Sequence, residues 1–258
     1  MALSGIQIYK LLPQTNCKEC GFPTCLAFAM KLAAKQVELA SCPYVSEESK
    51  AQLAESSAPP IRLVTLKSDS QEVKAGNEVV LFRHEKTFYN KPGVFVKISD
   101  TLSADQIKAL VGPADIYKVN YVGIELTLDG FAVSAESGSP GAFAGAVQAV
   151  RSATKRPLIL MAGDAATAAA GLGVLSGEIA MLYAADSANW EAMAEAAKAH
   201  KAALAVKGAS LDELADLTEK IKAKGVEDLV LDPVSDTLST GLIFEIQIRR
   251  LALKKNFR

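Results

Sequence analysis

The chain holds four cysteines, Cys17, Cys20, Cys25 and Cys42. Written as Cys17-x2-Cys20-x4-Cys25-x16-Cys42-Pro43, they place three thiol donors in one short stretch and bring a fourth from further along. Thiolates are soft ligands, suited to iron–sulfur clusters and to zinc. Gly21 and Pro23 allow the backbone to wrap tightly between Cys20 and Cys25, aiming amide N–H groups at inorganic sulfide. A structural zinc site is a poorer match, because such sites usually pair two Cys-x2-Cys knuckles and only one pair here has that spacing. Disulfides and buried free thiols are the remaining readings, and disulfides are disfavoured where no secretory signal is seen. On spacing alone, a [4Fe–4S] cluster held as metal and cofactor by Cys17, Cys20, Cys25 and Cys42 is the best match.

A helix must carry the chain away from Cys25 and a reversal must bring it back. Leu26, Met30, Ala33 and Val37 mark one helical face, flanked by Phe28 and Leu32. A helix from Cys25 to Val37 travels about 18 Å, and the return to Cys42 spans about 17 Å at full stretch. A sharp reversal is therefore expected near Glu38–Ala40.

Beyond this module, Ser56-Ser57-Ala58-Pro59-Pro60 reads as a linker, since proline fixes φ and removes a backbone donor. In residues 61–80, IRLVTL and EVVLF predict a hairpin around a stretch holding Gly76-Asn77. From residue 94, short β-branched runs alternate with alanine-rich helical stretches, the pattern of βα units around a parallel sheet. Strands are expected at VFVKI (94–98), within 130–136, and at PLILM (157–161), EIAMLY (178–183), ALAVK (203–207) and DLVLD (228–232). The expected organisation is a cluster domain at 1–57, a linker and hairpin at 58–93, and a partial TIM-type barrel at 94–258. Six strands fall short of the eight of a closed barrel, so the barrel reads as truncated. The fold class is α/β.

Helix starts are readable. Ser103 with Gln106, and Ser210 with Glu213, fit the capping box, and Asp164 and Ser187 are simpler N-caps. Gly171-x-Gly173 follows an alanine helix and reads as its terminator.

Asp100, Glu136, Asp164, Asp186, Lys207 and Asp232 fall near the C-terminal ends of the predicted strands, where barrel enzymes place their chemistry. Such positions are also where helix caps fall. Two histidines, His84 and His200, are too few for a multi-histidine metal site. His200 sits at a helix end, where a cation suits the macrodipole. No glycine-rich dinucleotide fingerprint, Walker A sequence, nucleophile elbow or His-Glu-x-x-His occurs. No catalytic constellation stands out, so an enzymatic role for the chain by itself stays open.

With 22% charged residues and a net charge of -1, the chain lacks the basic field of a nucleic-acid binder. No run reaches the roughly 20 apolar residues needed to span a bilayer. A cytoplasmic location is expected.

The segments GIQIYKLLP, NCKECGFPTCLAFAMKLA, SCPYVSEESK, APPI, LFRHEKTFY and IRRLALKKNFR together resemble the large (gamma) subunit family of the corrinoid iron–sulfur protein of the acetyl-CoA decarbonylase/synthase, or carbon monoxide dehydrogenase/acetyl-CoA synthase, pathway. The similarity runs along essentially the whole chain, with the cysteine motif its most specific part. It implies a [4Fe–4S] cluster on the four cysteines, a central TIM-type barrel and a further C-terminal corrinoid domain that this chain lacks. It also implies methyl transfer from a methyl-pterin methyltransferase to acetyl-CoA synthase, the cluster restoring Co(I) from Co(II). The implied partners are a small subunit forming a heterodimer, the methyltransferase, the synthase and a ferredoxin-like donor. The alternative is a barrel enzyme binding a pterin through the strand-end carboxylates, with a structural or regulatory cluster.

Overall fold

A computed structural model describes residues 4–33, 37, 39–50, 53, 61–82, 84 and 90–255. The expected 56–60 linker lies outside the described residues, as does most of the stretch after His84. The chain divides into two compact units, one comprising Met1–Ile61 with Arg250–Arg258 and the other Arg62–Arg249.

In the first unit, helix α1 (Gly5–Leu11) starts at Ser4, whose side chain accepts from the Gln7 amide while Gln7 reaches back to the Ser4 amide. Helix α2 (Cys25–Ala33) buries Cys25, Phe28 and Ala29. These pack with Ile8, Leu12, Cys42, Val45 and Leu53, and Leu32 lies against the same cluster. The buried stripe is therefore Cys25-Phe28-Ala29-Leu32, at i, i+3, i+4 and i+7. Leu26 and Met30, expected on the inner face, are exposed. Placing Cys25 and Phe28 against α1 turns them outward. The helix also ends at Ala33 and not at Val37. Residues 34–36 and Glu38 lie outside the described residues, and a 3-10 turn at Leu39–Ser41 leads into Cys42.

The second unit is built on a parallel sheet. In spatial order its strands are β3 (Phe95–Ser99), β6 (Gly130–Ser134), β7 (Leu158–Met161), β8 (Met181–Ala185), β9 (Ala203–Gly208) and β10 (Leu229–Pro233). Spatial order equals chain order, the winding of a TIM-like fold. Between successive strands run α3 (Ala104–Asp115), α4 (Pro140–Ala153), α5 (Ala165–Val174), α6 (Trp190–His200) and α7 (Leu211–Ala223), and α8 (Leu238–Lys255) follows β10. Strand side chains alternate between faces. Ile98, Phe131, Val133, Leu160, Leu182 and Val206 enter a dry core with Val111, Phe143, Val150, Met193 and Ile221 from the helices.

The strand expected at EIAMLY begins three residues later, at Met181. Ile179 is taken instead by Lys67, the two residues exchanging backbone hydrogen bonds of 2.8 Å each. That bridge belongs to a hairpin of β1 (Val64–Lys67) and β2 (Glu72–Ala75). The second strand is EVKA, not EVVLF. Ser68 explains the difference: its hydroxyl accepts from the Gln71 amide, its own amide donates to the Gln71 carbonyl, and the turn closes at 68–71. Gly76 and Asn77, both at positive φ, follow the hairpin instead of making its turn. Val64 and Leu66 pack with Phe95, Ile159, Met181, Ala203 and Val230, residues at the N-terminal ends of the barrel strands. The hairpin is the floor of the barrel.

A second hairpin, β4 (Lys118–Tyr121) and β5 (Ile124–Thr127), is inserted between α3 and β6. Arg156 pins its base. Its guanidinium donates to the Asp115 carboxylate (3.0 Å), to the Asp115 carbonyl (2.6 Å) and to the Leu128 carbonyl.

Ser103 and Gln106 form the reciprocal capping box of α3. Ser210 accepts from the Glu213 amide, but Glu213 accepts from Ala209, so that box is half made. Asp164 caps α5. Helix α6 starts after Asn189, and Ser187 does not cap it, because Asp186 takes the amides of Ala188 and Asn189. Gly171 and Gly173 lie inside α5, not at its end. Helix α5 crosses α4 at Gly171, where an added Cβ would stand 2.5 Å from Phe143 Cε1.

Candidate functional site

Two groups of residues can do chemistry. The first is the cysteine module. Cys17 is exposed, Cys20 half-buried, and Cys25 and Cys42 buried, all four as free thiols. Cys25 and Cys42 belong to one apolar cluster, with Cys20, Phe22 and Leu39 packed against it. The approach to Cys25 is made of left-handed residues: Gln14, Asn16, Lys18 and Gly21 all have φ between 49° and 81°. Turns of this kind point amides inward and favour anionic sulfur. The Asn16 side chain accepts from the Cys25 amide at 2.8 Å, tying the loop to the first turn of α2. Tyr44 donates to Glu19 Oε1 at 2.8 Å, and acceptance by that carboxylate pushes the phenol above its ordinary value, with Cys17 and Cys42 adding to the effect.

Among the described residues, no three His, Cys, Asp or Glu side chains stand close enough to hold a single metal ion. The thiols share one module without meeting at a point. A cluster offers its ligands separate irons, so an all-thiol set spread over a module fits it better than it fits one zinc ion, whose four ligands converge tetrahedrally.

The second group lines the C-terminal mouth of the sheet. Lys97 Nζ lies 2.7 Å from Glu136 Oε1, and Ser99 Oγ donates to Glu136 Oε2 at 2.7 Å. The lysine, with help from Ser99, lowers the Glu136 carboxyl to about 2. Tyr183 donates to Asp232 Oδ2 at 2.5 Å, and burial, reinforced by that carboxylate, pushes the phenol up to about 12. Burial also raises Glu245, with Asp232 adding to it. Lys207 is exposed at the end of β9.

The other strand-end acids are structural. Asp100 is buried and accepts from the amides of Glu136 and Ser137, 2.8 Å each, and from the Ser137 hydroxyl at 2.6 Å. Asp164 accepts from the Thr167 amide, which holds its carboxyl below the usual range. Asp186 closes a turn. His84 stacks on Phe82 with centroids 5.5 Å apart, and His200 is the last residue of α6. Sequence reading missed Lys97, Ser99 and Tyr183 at the mouth, and Asn16, Glu19 and Tyr44 in the module. The period-2 alternation of β3 puts Lys97 and Ser99 on the face of Phe95, a usable signal. Nothing local marks Tyr44 or Glu19.

Architecture and site together define an α/β protein in which a TIM-like sheet is joined to an N-terminal four-cysteine module. The family model described as CO dehydrogenase/acetyl-CoA synthase delta subunit matches residues 63–258, and the chain belongs to that family. A second model, described as "Putative Fe-S cluster", matches residues 12–44, which include all four cysteines. The chain is 43% identical over its whole length to the corrinoid/iron-sulfur protein large subunit of Moorella thermoacetica, covering 58% of that protein. It is 38% identical, over 97% of its length, to the acetyl-CoA decarbonylase/synthase complex subunit gamma of Archaeoglobus fulgidus, covering 56% of it. A gamma 2 subunit from Methanosarcina mazei is 38% identical over 93% of the chain and is covered to 52%. The chain thus spans between half and three-fifths of these relatives. Among the described residues no helix is long and apolar enough to cross a membrane.

Proposed function

We propose that this chain is the iron–sulfur and barrel portion of a methyl-carrying corrinoid protein, with Cys17, Cys20, Cys25 and Cys42 as the ligands of a [4Fe–4S] cluster. The observation that carries the reading is the all-thiol donor set, gathered in one module with a loop of left-handed residues before Cys25. Residues 1–57 form the cluster domain, 58–93 the linker and hairpin, and 94–258 the barrel. Bound there, the cluster supplies single electrons at low potential, the chemistry that returns an oxidised Co(II) corrinoid to Co(I) during methyl transfer. Buried Cys25 and Cys42, backed by Phe28, keep water from one side of the site, and exposed Cys17 marks the side open to an electron donor.

The partners in this reading are a small subunit completing a heterodimer, a methyl-pterin methyltransferase, acetyl-CoA synthase and a ferredoxin-like reductant, all in the cytoplasm. The relatives' names support it, one as a corrinoid/iron-sulfur subunit and others as subunits of a decarbonylase/synthase complex. No residue of this chain is assigned to the corrinoid. The pterin-binding alternative has less support, because Asp100, Asp164 and Asp186 direct their carboxylates to nearby amides.

Iron and acid-labile sulfide analysis of anaerobically purified protein, with electron paramagnetic resonance after dithionite reduction, tests the reading. About four irons and four sulfides per chain, with a reduced-cluster signal, are expected. Stoichiometric zinc without sulfide overturns it.

A further inference from the structure

Three separate stretches of the module carry the cysteines: the 17–20 loop, the first residue of α2, and the segment after the 3-10 turn. Packing alone does not orient them. The apolar cluster buries Cys25 and Cys42, but burial is non-directional and leaves the heading of each thiol undetermined. Directional contacts must do that. Asn16 joins the loop to α2 through the Cys25 amide. Cys42 itself is tied only locally, its amide donating to the Leu39 carbonyl at 3.1 Å. Among the described residues, the side-chain hydrogen bond joining the Cys42 segment to the 17–20 loop is Tyr44 to Glu19.

We propose that the Tyr44–Glu19 hydrogen bond is a clasp that positions Cys42 against the Cys17 and Cys20 loop, making both residues positioning residues for the cluster ligands. The inference rests on the reading of the four cysteines as one ligand set. Glu19 sits inside the Cys17-x2-Cys20 spacing and Tyr44 two residues after Cys42, so the contact acts on both segments at the shortest lever arm short of the ligands. Tyr44 is also within electrostatic reach of the Cys17 and Cys42 thiols. Phenol to carboxylate is a charge-assisted bond, stronger and more directional than a neutral one, and it forms at the surface of the module, where both partners remain exposed.

The test compares wild type with Tyr44→Phe, Glu19→Gln and the double variant, each as the full chain. In the reduced, metal-free proteins, alkylation of each cysteine by iodoacetamide is followed by mass spectrometry. The clasp requires Cys42 to react about fivefold faster in either single variant, no faster still in the double variant, and Cys25 to keep its wild-type rate. In the cluster-loaded proteins, iron loss to a chelator should accelerate by a similar factor. Equal Cys42 rates overturn the proposal, and so does a joint rise at Cys25 and Cys42, which would report general loosening of the module. A wild-type chain that takes up no iron and sulfide sinks the cluster reading and the clasp together. A loaded wild type with unaltered variants sinks the clasp alone.

Discussion

Tyr183 on β8 reaches over β9 to donate to Asp232 on β10, a hydrogen bond of 2.5 Å between strands that are not neighbours. The strand between them shows only Ala203 and Ala205 on that face until Lys207, and their small side chains let the phenol pass. The contact therefore ties three strands at once.

Replacing Tyr183 by Phe should lower stability by about 1 kcal/mol in urea unfolding, the worth of one hydrogen bond. The sign with pH follows from the donor. The neutral phenol is the stabilised form, and its folded value of about 12 lies above the ordinary 10.0. The contribution is complete below pH 10 and disappears as pH climbs through about 12. A tyrosinate absorbance titration, wild type minus Tyr183→Phe, should show the high component. A difference curve centred at 10 would contradict it.

Glu136 titrates in the opposite sense. Its ordinary value of 4.5 is lowered to about 2, first by Lys97. Whatever the pair adds to stability is present above pH 4.5 and is lost as pH falls through about 2. Lys97→Met should bring the Glu136 carboxyl back toward its ordinary range in a carbon-13 NMR titration. Stability at neutral pH should change little, since the pair is solvated.

Gly171→Ala sets two effects against each other. Alanine gains about 1 kcal/mol of helix propensity over glycine. The new methyl, however, would stand 2.5 Å from Phe143 Cε1 and 3.1 Å from Leu160 Cδ1, and overpacking costs about 1 to 3 kcal/mol. A lower thermal midpoint is expected, with partial recovery when Phe143→Leu is added. A higher midpoint for the single variant would show that α4 and α5 can part at no cost.

Val122 is 84% exposed and has φ of 50° in the two-residue turn it forms with Gly123. A β-branched residue is strained there. Val122→Asn, which tolerates the left-handed region, should raise stability by about 1 kcal/mol in thermal unfolding. A drop would mean that Val122 makes a contact worth more than its strain.

The parallel sheet could be read from the chain because each βα unit repeats one simple signal, an apolar run followed by a capped helix. Ser103, Ser210 and Asp164 announced three of those helices. What stayed hidden depended on partners distant in sequence or on turns without the usual residues. The β4–β5 hairpin turns on Val-Gly, not Asn-Gly, and exposes Tyr121, Val122 and Ile124, so neither turn chemistry nor burial pattern reveals it. Two serine hydrogen bonds moved the floor hairpin's second strand from EVVLF to EVKA. The inward face of α2 was misjudged because Cys25 and Phe28 pack on α1, a tertiary choice that periodicity leaves open. The four cysteines were conspicuous by type and spacing. The Tyr44–Glu19 contact bridges 25 positions, and no local rule points to it.

The floor hairpin also bears on the order in which the barrel is assembled. Ribosomes release β1 and β2 before any barrel strand, and the sheet can then grow strand by strand, since neighbours in space are neighbours in time. Yet the surface that receives Val64 and Leu66 is shared by β3, β7, β8, β9 and β10. The first part made must wait for the last strand before it can dock. Pulsed hydrogen exchange during refolding should accordingly protect the amide of Leu160 before that of Leu66, with closure of the floor serving as the checkpoint that the sheet has been completed in register.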